Sequence, residues 1–309
     1  MTVATRNRMP AATVAVITML VVTAIWGSTF VVVKDAVARM PVMDFLAWRF
    51  LAAAVVLLLC RPRSLRALRR GGLAHGIVLG LLIGAGFITQ TFGLALGTPA
   101  SVSGFITGMY IVLTPLIAGV LLRRRIGPAA WFAVVLATAG LALTSLRGLS
   151  FGSGELITLG CAAAFAFHIV GLAAWSSRYD SYALAVVQIG TVGVLCLLVS
   201  AGRNLVSGHP RVLALPPDAA VWGALAFTAV LATAFGFLAQ TWAQRHVSPT
   251  RIAVVMTMEP VFAGIFGVLY GEHLDAATIV GGALVLAAMY VVQLRPEPDP
   301  TDDVERLEM

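Results

Sequence analysis

The segment GFITQTFGLALGTPA at residues 86–100 aligns without a gap with GFLAQTWAQRHVSPT at residues 236–250. In both copies a glutamine, Gln90 or Gln240, is followed nine residues later by a proline. Self-similarity at a fixed spacing indicates a chain built from repeated structural units. We therefore expect two similar halves.

A second match supports the repeat. TPLIAGV at 114–120 corresponds to EPVFAGI at 259–265, so the motif PxxAG recurs in both halves. The spacing between copies is 145 residues for this match and 150 for the first one. The change predicts five extra residues in this part of the first half.

The composition indicates that both halves lie in a membrane. The 309 residues are 59% hydrophobic and 11% charged, with a mean hydropathy of +0.93, whereas soluble domains are about half apolar and a quarter charged. The formal net charge of +7 comes from short loops rather than from an amphipathic face, which argues against nucleic acid as a partner. We expect the lipid bilayer to surround the chain.

Ten apolar stretches are long enough to cross that bilayer. A hydrocarbon core of about 30 Å needs about 20 apolar residues per helix, and clusters of charged residues, glycine and proline separate the stretches. We therefore predict an all-α integral membrane protein. Its ten transmembrane helices are expected near residues 12–33, 42–60, 72–92, 100–122, 128–146, 154–175, 182–202, 218–240, 249–270 and 276–294.

The positive charges predict the orientation, because Lys and Arg are retained in cytoplasmic loops. With the N-terminus inside, fourteen of the 21 Lys and Arg residues fall on the cytoplasmic side and five on the opposite side. We expect both termini to be cytoplasmic (N-in/C-in). The acidic, proline-rich tail at 295–309 has nothing to bury, so we expect it to be disordered.

Five helices per half is an odd number, so the second half must enter the membrane in the opposite orientation. We expect inverted five-helix repeats at 12–146 and 154–294. Inverted repeats are typical of secondary transporters, whose substrate site lies near the midplane between the halves. The step from this architecture to transport is an analogy of fold.

Four segments carry a family resemblance: WGSTFVVVKDAV at 26–37, FLAWRF at 45–50, SGFITGMYIVLTPL at 103–116 and MEPVFAGIFGVLYGEHL at 258–274. They resemble the EamA-type branch of the drug/metabolite transporter superfamily, across both halves. The resemblance implies a ten-helix carrier of the bacterial inner membrane, often an exporter of amino acids or other metabolites. One departure is the arginine triplet at 123–125, which replaces the acidic end of the Pro260–Glu272 pattern in the first half.

Two charged residues lie inside predicted spans. Arg49 would cost about 2.5–3.5 kcal/mol at the centre of a helix; it either faces a cavity and attracts a substrate carboxylate or phosphate, or pairs with Glu259 or Asp44, or reaches the outer surface. Glu259 lies deeper than any other carboxylate. It either couples protons or binds a substrate amine, or it is a structural partner of Arg49 or of the adjacent kink.

Matched polar and proline positions form a second group of candidates. Pro115 and Pro260 lack an N–H group and are expected to break or bend their helices; the breaks either line a cavity or only shape the packing. Gln90 and Gln240 either bind substrate or form hydrogen bonds between helices.

The remaining candidates are polar side chains within or at the ends of spans. Those deep in the spans either face the cavity or pack, and those at the outer ends are expected to form rim or gate pairs. The deep group is Trp26, Ser28, Thr29, Tyr110 and His168, and the rim group is Lys34, Asp35, Glu272 and His273.

We expect a secondary-active exporter of small polar or amphipathic metabolites, such as amino-acid-like compounds or drugs, working by alternating access as a monomer or a homodimer. Protons are the candidate coupling ion. No GxxxxGK[ST] loop is present, and the scattered histidines form no HExxH motif, so neither a cofactor nor a metal is expected and an embedded enzyme is disfavoured. A non-transporting sensor or scaffold is the alternative.

Overall fold

The computed structural model of the chain describes residues 11–68, 70–121, 127–145, 152–175, 178–207, 211–243 and 255–293. Within these ranges every regular element is helical. The predicted disordered tail, the arginine triplet at 123–125 and the matched proline Pro249 all lie outside them.

The described part of the first half contains six α-helices and a short 3₁₀ turn, Ser64–Ala67. Its apolar runs are separated by proline, glycine and arginine, and Pro41 and Pro99 adopt extended or near-extended conformations just before two of the helices. The helices are α1 (Ala11–Val37), α2 (Val42–Cys60), α3 (Arg70–Ala95), α4 (Ala100–Gly108), α5 (Tyr110–Leu121) and α6 (Pro128–Ser145).

The second half follows the same plan with different interruptions. Aspartates cap two of its helices, because the side chains of Asp180 and Asp218 accept hydrogen bonds from backbone N–H groups of the first turn. The helices are α7 (Ser153–Trp175), α8 (Ser181–Val206), α9 (Ala219–Ala226), α10 (Gly236–Ala243), α11 (Glu259–Leu269) and α12 (Ala276–Gln293). A π-helix, Phe227–Phe235, joins α9 to α10.

Seven helical segments of the described chain are long and apolar enough to cross a bilayer. Three further apolar segments are shorter: Trp131–Leu143, Glu259–Leu269 and Ala276–Val291. The chain is thus an all-helical, multi-pass membrane protein. Ten crossings and the N-in/C-in orientation remain predictions.

The predicted fourth span is interrupted on the N-terminal side of its proline. α4 ends at Gly108 and α5 begins at Tyr110, whereas Pro115 stands inside α5. Pro115 has no N–H group for the carbonyl of Ile111, and the interruption lies two residues before that carbonyl. Pro260 stands in the first turn of α11, where its missing N–H group is tolerated.

The most extensive helix contacts run between the two halves. α2 packs on α8, α4 on α11 and α6 on α12, so each of these three helices contacts its counterpart in the other half. α1 also packs along α11, and α3 packs along both α7 and α8. The protein interior is therefore formed jointly by the two halves.

Glycines permit the closest of these approaches. A Cβ atom added to Gly27 of α1 would lie 2.5 Å from the Cβ of Phe262 and 2.9 Å from the backbone nitrogen of Ala263 in α11. A Cβ on Gly140 of α6 would lie 2.6 Å from the carbonyl oxygen of Gly281 in α12. Small residues at such positions let helix backbones come together in a membrane.

Two glycines of α8 give a matched test of this packing. A Cβ on Gly193 would lie 2.9 Å from the backbone nitrogen of Leu51, whereas a Cβ on Gly190 would meet nothing within 4 Å. Gly193→Ala should lower the free energy of unfolding by about 1–3 kcal/mol, because backbone cannot yield as a side chain does. Gly190→Ala should be neutral or stabilising, since alanine favours helix. Thermal unfolding in detergent checks this, and equal midpoints for the two variants would contradict the packing.

Candidate functional site

Arg49 lies inside the helix bundle with 4% of its surface exposed. Its Nε donates a hydrogen bond to the Thr233 hydroxyl at 3.1 Å, so α2 is tied to the π-helix of the other half. The guanidinium carbon lies 5.1 Å from the ring centroid of Phe50 and 4.9 Å from that of Phe87. Aromatic faces attract a buried cation, and arginine suits such stacking.

The acidic partners expected for Arg49 are engaged elsewhere or out of reach. Asp44 is fully buried and pairs with Arg203 at 2.6 Å, while also accepting a hydrogen bond from Ser200. The alternative of an Arg49–Asp44 pair was therefore wrong. Within the described residues Arg49 forms no ion pair with Glu259 either. The two terminal nitrogens of its guanidinium make no hydrogen bond to any described residue.

A row of aromatic rings leads away from Arg49, and we call Phe50, Phe87, Phe165 and Tyr110 the aromatic row. Phe87 lies 4.9 Å from Phe50 and 5.2 Å from Phe165, and Phe165 lies 6.3 Å from Tyr110, between ring centroids. Most of these pairs are tilted or edge-to-face, as the charge distribution of aromatic rings favours. The row joins α2, α3, α7 and α5, and so crosses from one half to the other.

Glu259 lies beyond the far end of the aromatic row. It is partly buried in the first turn of α11 and interacts electrostatically with Tyr110 and Cys161. The chain turns at Thr257 and Met258 just before it, and the residue at the N-cap of α11, Met258, makes no side-chain capping hydrogen bond. A helix start inside a transporter leaves N–H groups free for a polar ligand.

Trp26 contacts the π-helix beside Arg49. Its indole Nε1 donates to the carbonyl oxygen of Ala232 at 2.7 Å, and its ring packs 6.3 Å from Phe237. A π-helix shifts the backbone pairing from the α-helical pattern, and such segments are frequent at functional sites. The π-helix thus supplies neighbouring groups, Ala232 and Thr233, to Trp26 and Arg49.

The two matched glutamines make equivalent contacts. Gln90 donates to the Thr107 hydroxyl at 3.1 Å, and Gln240 donates to the sulfur of Met256 at 3.7 Å. Each contact links a helix to the next span of the same half. Thr107 also lies 4.0 Å from the sulfur of Cys161, so Gln90 is connected to the surroundings of Glu259.

The other deep candidates have partners of their own. His168 is buried and lies 2.6 Å from the side-chain oxygen of Gln188, as expected of a packed histidine. Thr29 donates to the carbonyl oxygen of Trp26, and Ser28 donates to that of Ile25. Ser28 also lines a groove of about 410 Å³ between α1, α9 and α11.

Glu272 organises the rim. It forms an ion pair with Lys34 at 3.2 Å and accepts hydrogen bonds from the backbone N–H groups of Ala100 and Ser101 at 2.6 and 3.1 Å. The carboxylate therefore caps α4 from the other half. Gly271, with a φ of +92°, turns the chain so that Glu272 reaches this position.

The other rim residues do not join this contact. Asp35 pairs with Arg39 four residues farther along the chain, and Arg39 also pairs with Asp218 of the other half at 2.9 Å. His273 is exposed. Exposed pairs of this kind contribute little stability individually.

Sequence reasoning missed several of the residues that form the site. Thr233, Phe87 and Phe165 carry no motif and stand in apolar runs, so only their three-dimensional neighbourhood identifies them. A signal was available for Phe50, which adjoins Arg49 in the FLAWRF segment. The repeat indicated the glutamines but not their partners.

Comparison with known proteins now decides the family. The EamA-like transporter family matches residues 13–146 and again residues 152–294. The chain belongs to the EamA-like transporter family. Two repeats of this family cover it, which confirms the resemblance found in the four segments.

Several EamA-like relatives span most of the chain. An uncharacterized transporter of Archaeoglobus fulgidus is 29% identical over 90% of this chain and 85% of its own length. The uncharacterized transporter YyaM of Bacillus subtilis is 25% identical over 84% and 87%. A WAT1-related chloroplastic protein of Arabidopsis thaliana is 26% identical over 86% of this chain and 66% of that protein.

A solved crystal structure shares the fold of this EamA-like protein. It aligns with a TM-score of 0.62 over 91% of this chain and 96% of the other, at 19% identity. The family and the relatives support a multi-pass membrane transporter. A transporter of this kind binds small molecules within a lipid bilayer.

The contacts of Glu272 predict a pH-dependent contribution to stability. Burial acts to raise the pKa of its carboxyl group, but hydrogen bonds from Ser101 and Ala100 and the charge of Lys34 lower that pKa below its ordinary value. Glu272→Gln should therefore lower the free energy of unfolding by about 1–2 kcal/mol at neutral pH. Because the folded-state pKa is depressed, this difference is complete above the ordinary value of 4.5 and is lost as the pH falls below it.

Thermal unfolding of both proteins from neutral to acidic pH measures the difference. His273→Gln, which changes the exposed neighbour, is the control and should unfold like the unaltered protein near neutral pH. If Glu272→Gln also matches the unaltered protein at pH 7, Glu272 does not cap α4.

Proposed function

We propose that this EamA-like transporter carries a small metabolite with a carboxylate or other anionic group, which binds at Arg49 between the two halves. The observation that carries the proposal is a buried guanidinium whose terminal nitrogens have no protein partner among the described residues. An arginine uses its terminal nitrogens to donate two parallel hydrogen bonds to a carboxylate.

The energetics favour a ligand as the missing partner. An uncompensated charge in an apolar interior costs several kcal/mol, and stacking on Phe50 and Phe87 offsets only part of this cost, at about 2 kcal/mol for a desolvated contact. An ionisable residue within a membrane-spanning helix is by default a functional candidate. A substrate anion would supply the counter-charge during transport.

The rest of the site suits an amino-acid-like or amphipathic substrate. The aromatic row offers apolar surface next to Arg49, and Glu259 offers a negative charge near its other end. The carboxylate of such a substrate would bind Arg49, its apolar body would pack on the aromatic row, and its amine would meet Glu259. We propose that Trp26, Gln90 and Gln240 border this site and that the alternating-access movement changes their contacts.

We further propose a transporter with ten crossings, both termini in the cytoplasm and export from a bacterial cell through its plasma membrane. The excess of arginine in alternate connections supports the orientation. The repeat supports a rocking movement of the halves around a fixed site. Proton coupling at Glu259 is the proposed energy source.

Replacing Arg49 tests the function and the site together. In a host strain lacking the gene, metabolites in the medium and cytoplasm are profiled by mass spectrometry after complementation with the unaltered gene or variants. Arg49→Gln should behave like the empty vector. Arg49→Lys should retain the charge but reduce flux of the identified metabolite into proteoliposomes by about tenfold or more, because lysine lacks the two-point geometry.

The matched control is Arg61→Gln, which removes the same charge from an exposed residue paired with Asp180. It should complement fully, since exposed ion pairs contribute little. Full complementation by Arg49→Gln, at the same amount of protein in the membrane, would refute the site. Identical metabolite profiles with and without the gene would refute export.

Glu259→Gln tests proton coupling separately. If Glu259 carries the coupled proton, the variant should lose the pH dependence of flux between about pH 5.5 and pH 8. Flux in proteoliposomes with an imposed pH gradient measures this dependence. An unchanged rate and an unchanged pH profile would eliminate the proton role.

A further inference from the structure

A second pocket, of about 530 Å³, lies away from the candidate site at the end of the bundle where α2 begins and α8 ends. Its walls include Pro41, the guanidinium-bearing residues Arg203 and Arg211, and Leu215. None of these residues contributes to the Arg49 site. We call this space the two-arginine pocket.

Hydrogen bonds fix the shape of the two-arginine pocket. The buried carboxylate of Asp44 binds Arg203 at 2.6 Å and accepts from the backbone nitrogen of Ala214 at 2.6 Å. Asn204 donates to the carbonyl oxygen of Arg211 at 3.0 Å, and Trp48 donates to that of Ala214 at 3.0 Å. The segment that carries Arg211 is thereby tied to both helices, so the pocket is a built feature of the fold.

The charges of the pocket do not cancel. Asp44 balances Arg203, which still exposes 43% of its side chain. Arg211 is exposed and has no ion pair or side-chain hydrogen bond among the described residues. A net positive charge therefore remains at the opening, where an anion would be attracted.

Apolar side chains surround this positive opening. Leu205 and Val206, in the last turn of α8, are 82% and 89% exposed, and Val212 and Leu215 beside Arg211 are 59% and 50% exposed. Apolar side chains this exposed on a membrane protein offer a surface for acyl chains, and the neighbouring arginines offer positive charge for an anionic headgroup. Charge and apolar surface together match an amphiphile.

We propose that the two-arginine pocket binds the phosphate of an anionic phospholipid whose acyl chains lie against Leu205, Val206 and Val212. Guanidinium groups bind phosphate oxygens through charge-assisted, two-point hydrogen bonds. A free phosphate would satisfy the arginines but would leave the apolar rim without a partner, so the lipid is the better match. The lipid site is separate from the Arg49 site, and this proposal does not depend on the proposed transport function.

Native mass spectrometry of the purified full chain tests the proposal. The protein is titrated with phosphatidylglycerol or with phosphatidylcholine of the same acyl chains. Phosphatidylglycerol should bind more tightly, and Arg211→Gln should weaken its binding about fivefold, as expected for the loss of one exposed charge pair. Binding of phosphatidylcholine should not change.

Arg39→Gln is the matched control, because it removes the same charge near the same end of the bundle but lies outside the pocket; it should bind like the unaltered protein. Soluble glycerol 3-phosphate, added at the concentration of the lipid, should not displace bound phosphatidylglycerol. Equal binding of phosphatidylglycerol to Arg211→Gln and to the unaltered protein would overturn the proposal. Displacement by glycerol 3-phosphate would also overturn it, by assigning the pocket to a soluble anion.

Discussion

A bilayer offers no hydrogen-bond partners to the backbone, and this constraint shapes the whole molecule. Helices satisfy it over most of the described chain. The exceptions are the break at Met109, the π-helix Phe227–Phe235 and the turn at Thr257 and Met258. Each exception lies near a candidate residue, and irregular backbone at this depth is tolerated where it is buried in protein or lines a cavity. The departures from regular helix therefore help to locate the site.

Packing between the two halves determines which residues surround Arg49. Glycines such as Gly27 bring α1 against α11, and the extensive contacts of α2, α4 and α6 with their counterparts leave the interior shared. Arg49 contacts Thr233 of the other half and rings contributed by its own, so its environment changes if the halves move relative to each other. A charge in such a position responds to both a ligand and a conformational change.

The sequence predicted the membrane class, the repeat and the family, because hydropathy and motif spacing are properties of the chain itself. It located most helices within a few residues, and it pointed to Arg49 and Glu259 because charge in an apolar run stands out. It could not predict the partners of Arg49, since Thr233 and Phe87 look like any other apolar-run residues. It pointed to a disturbance of the fourth span by Pro115, and the interruption lies at Met109, on the side of the carbonyl group that the proline leaves without a donor. The π-helix carries no sequence signal that we recognise.

The cap on α4 also constrains how the chain is made. The N–H groups of Ala100 and Ser101 bind a carboxylate that lies 172 and 171 residues farther along the chain. Arg49 likewise donates a hydrogen bond to Thr233, which lies 184 residues farther along the chain. At about 5–20 residues per second, the ribosome needs roughly ten to forty seconds to deliver these partners. During that interval these groups lack the partners that they have in the complete structure, so the first half cannot reach its final packing before the second half is made.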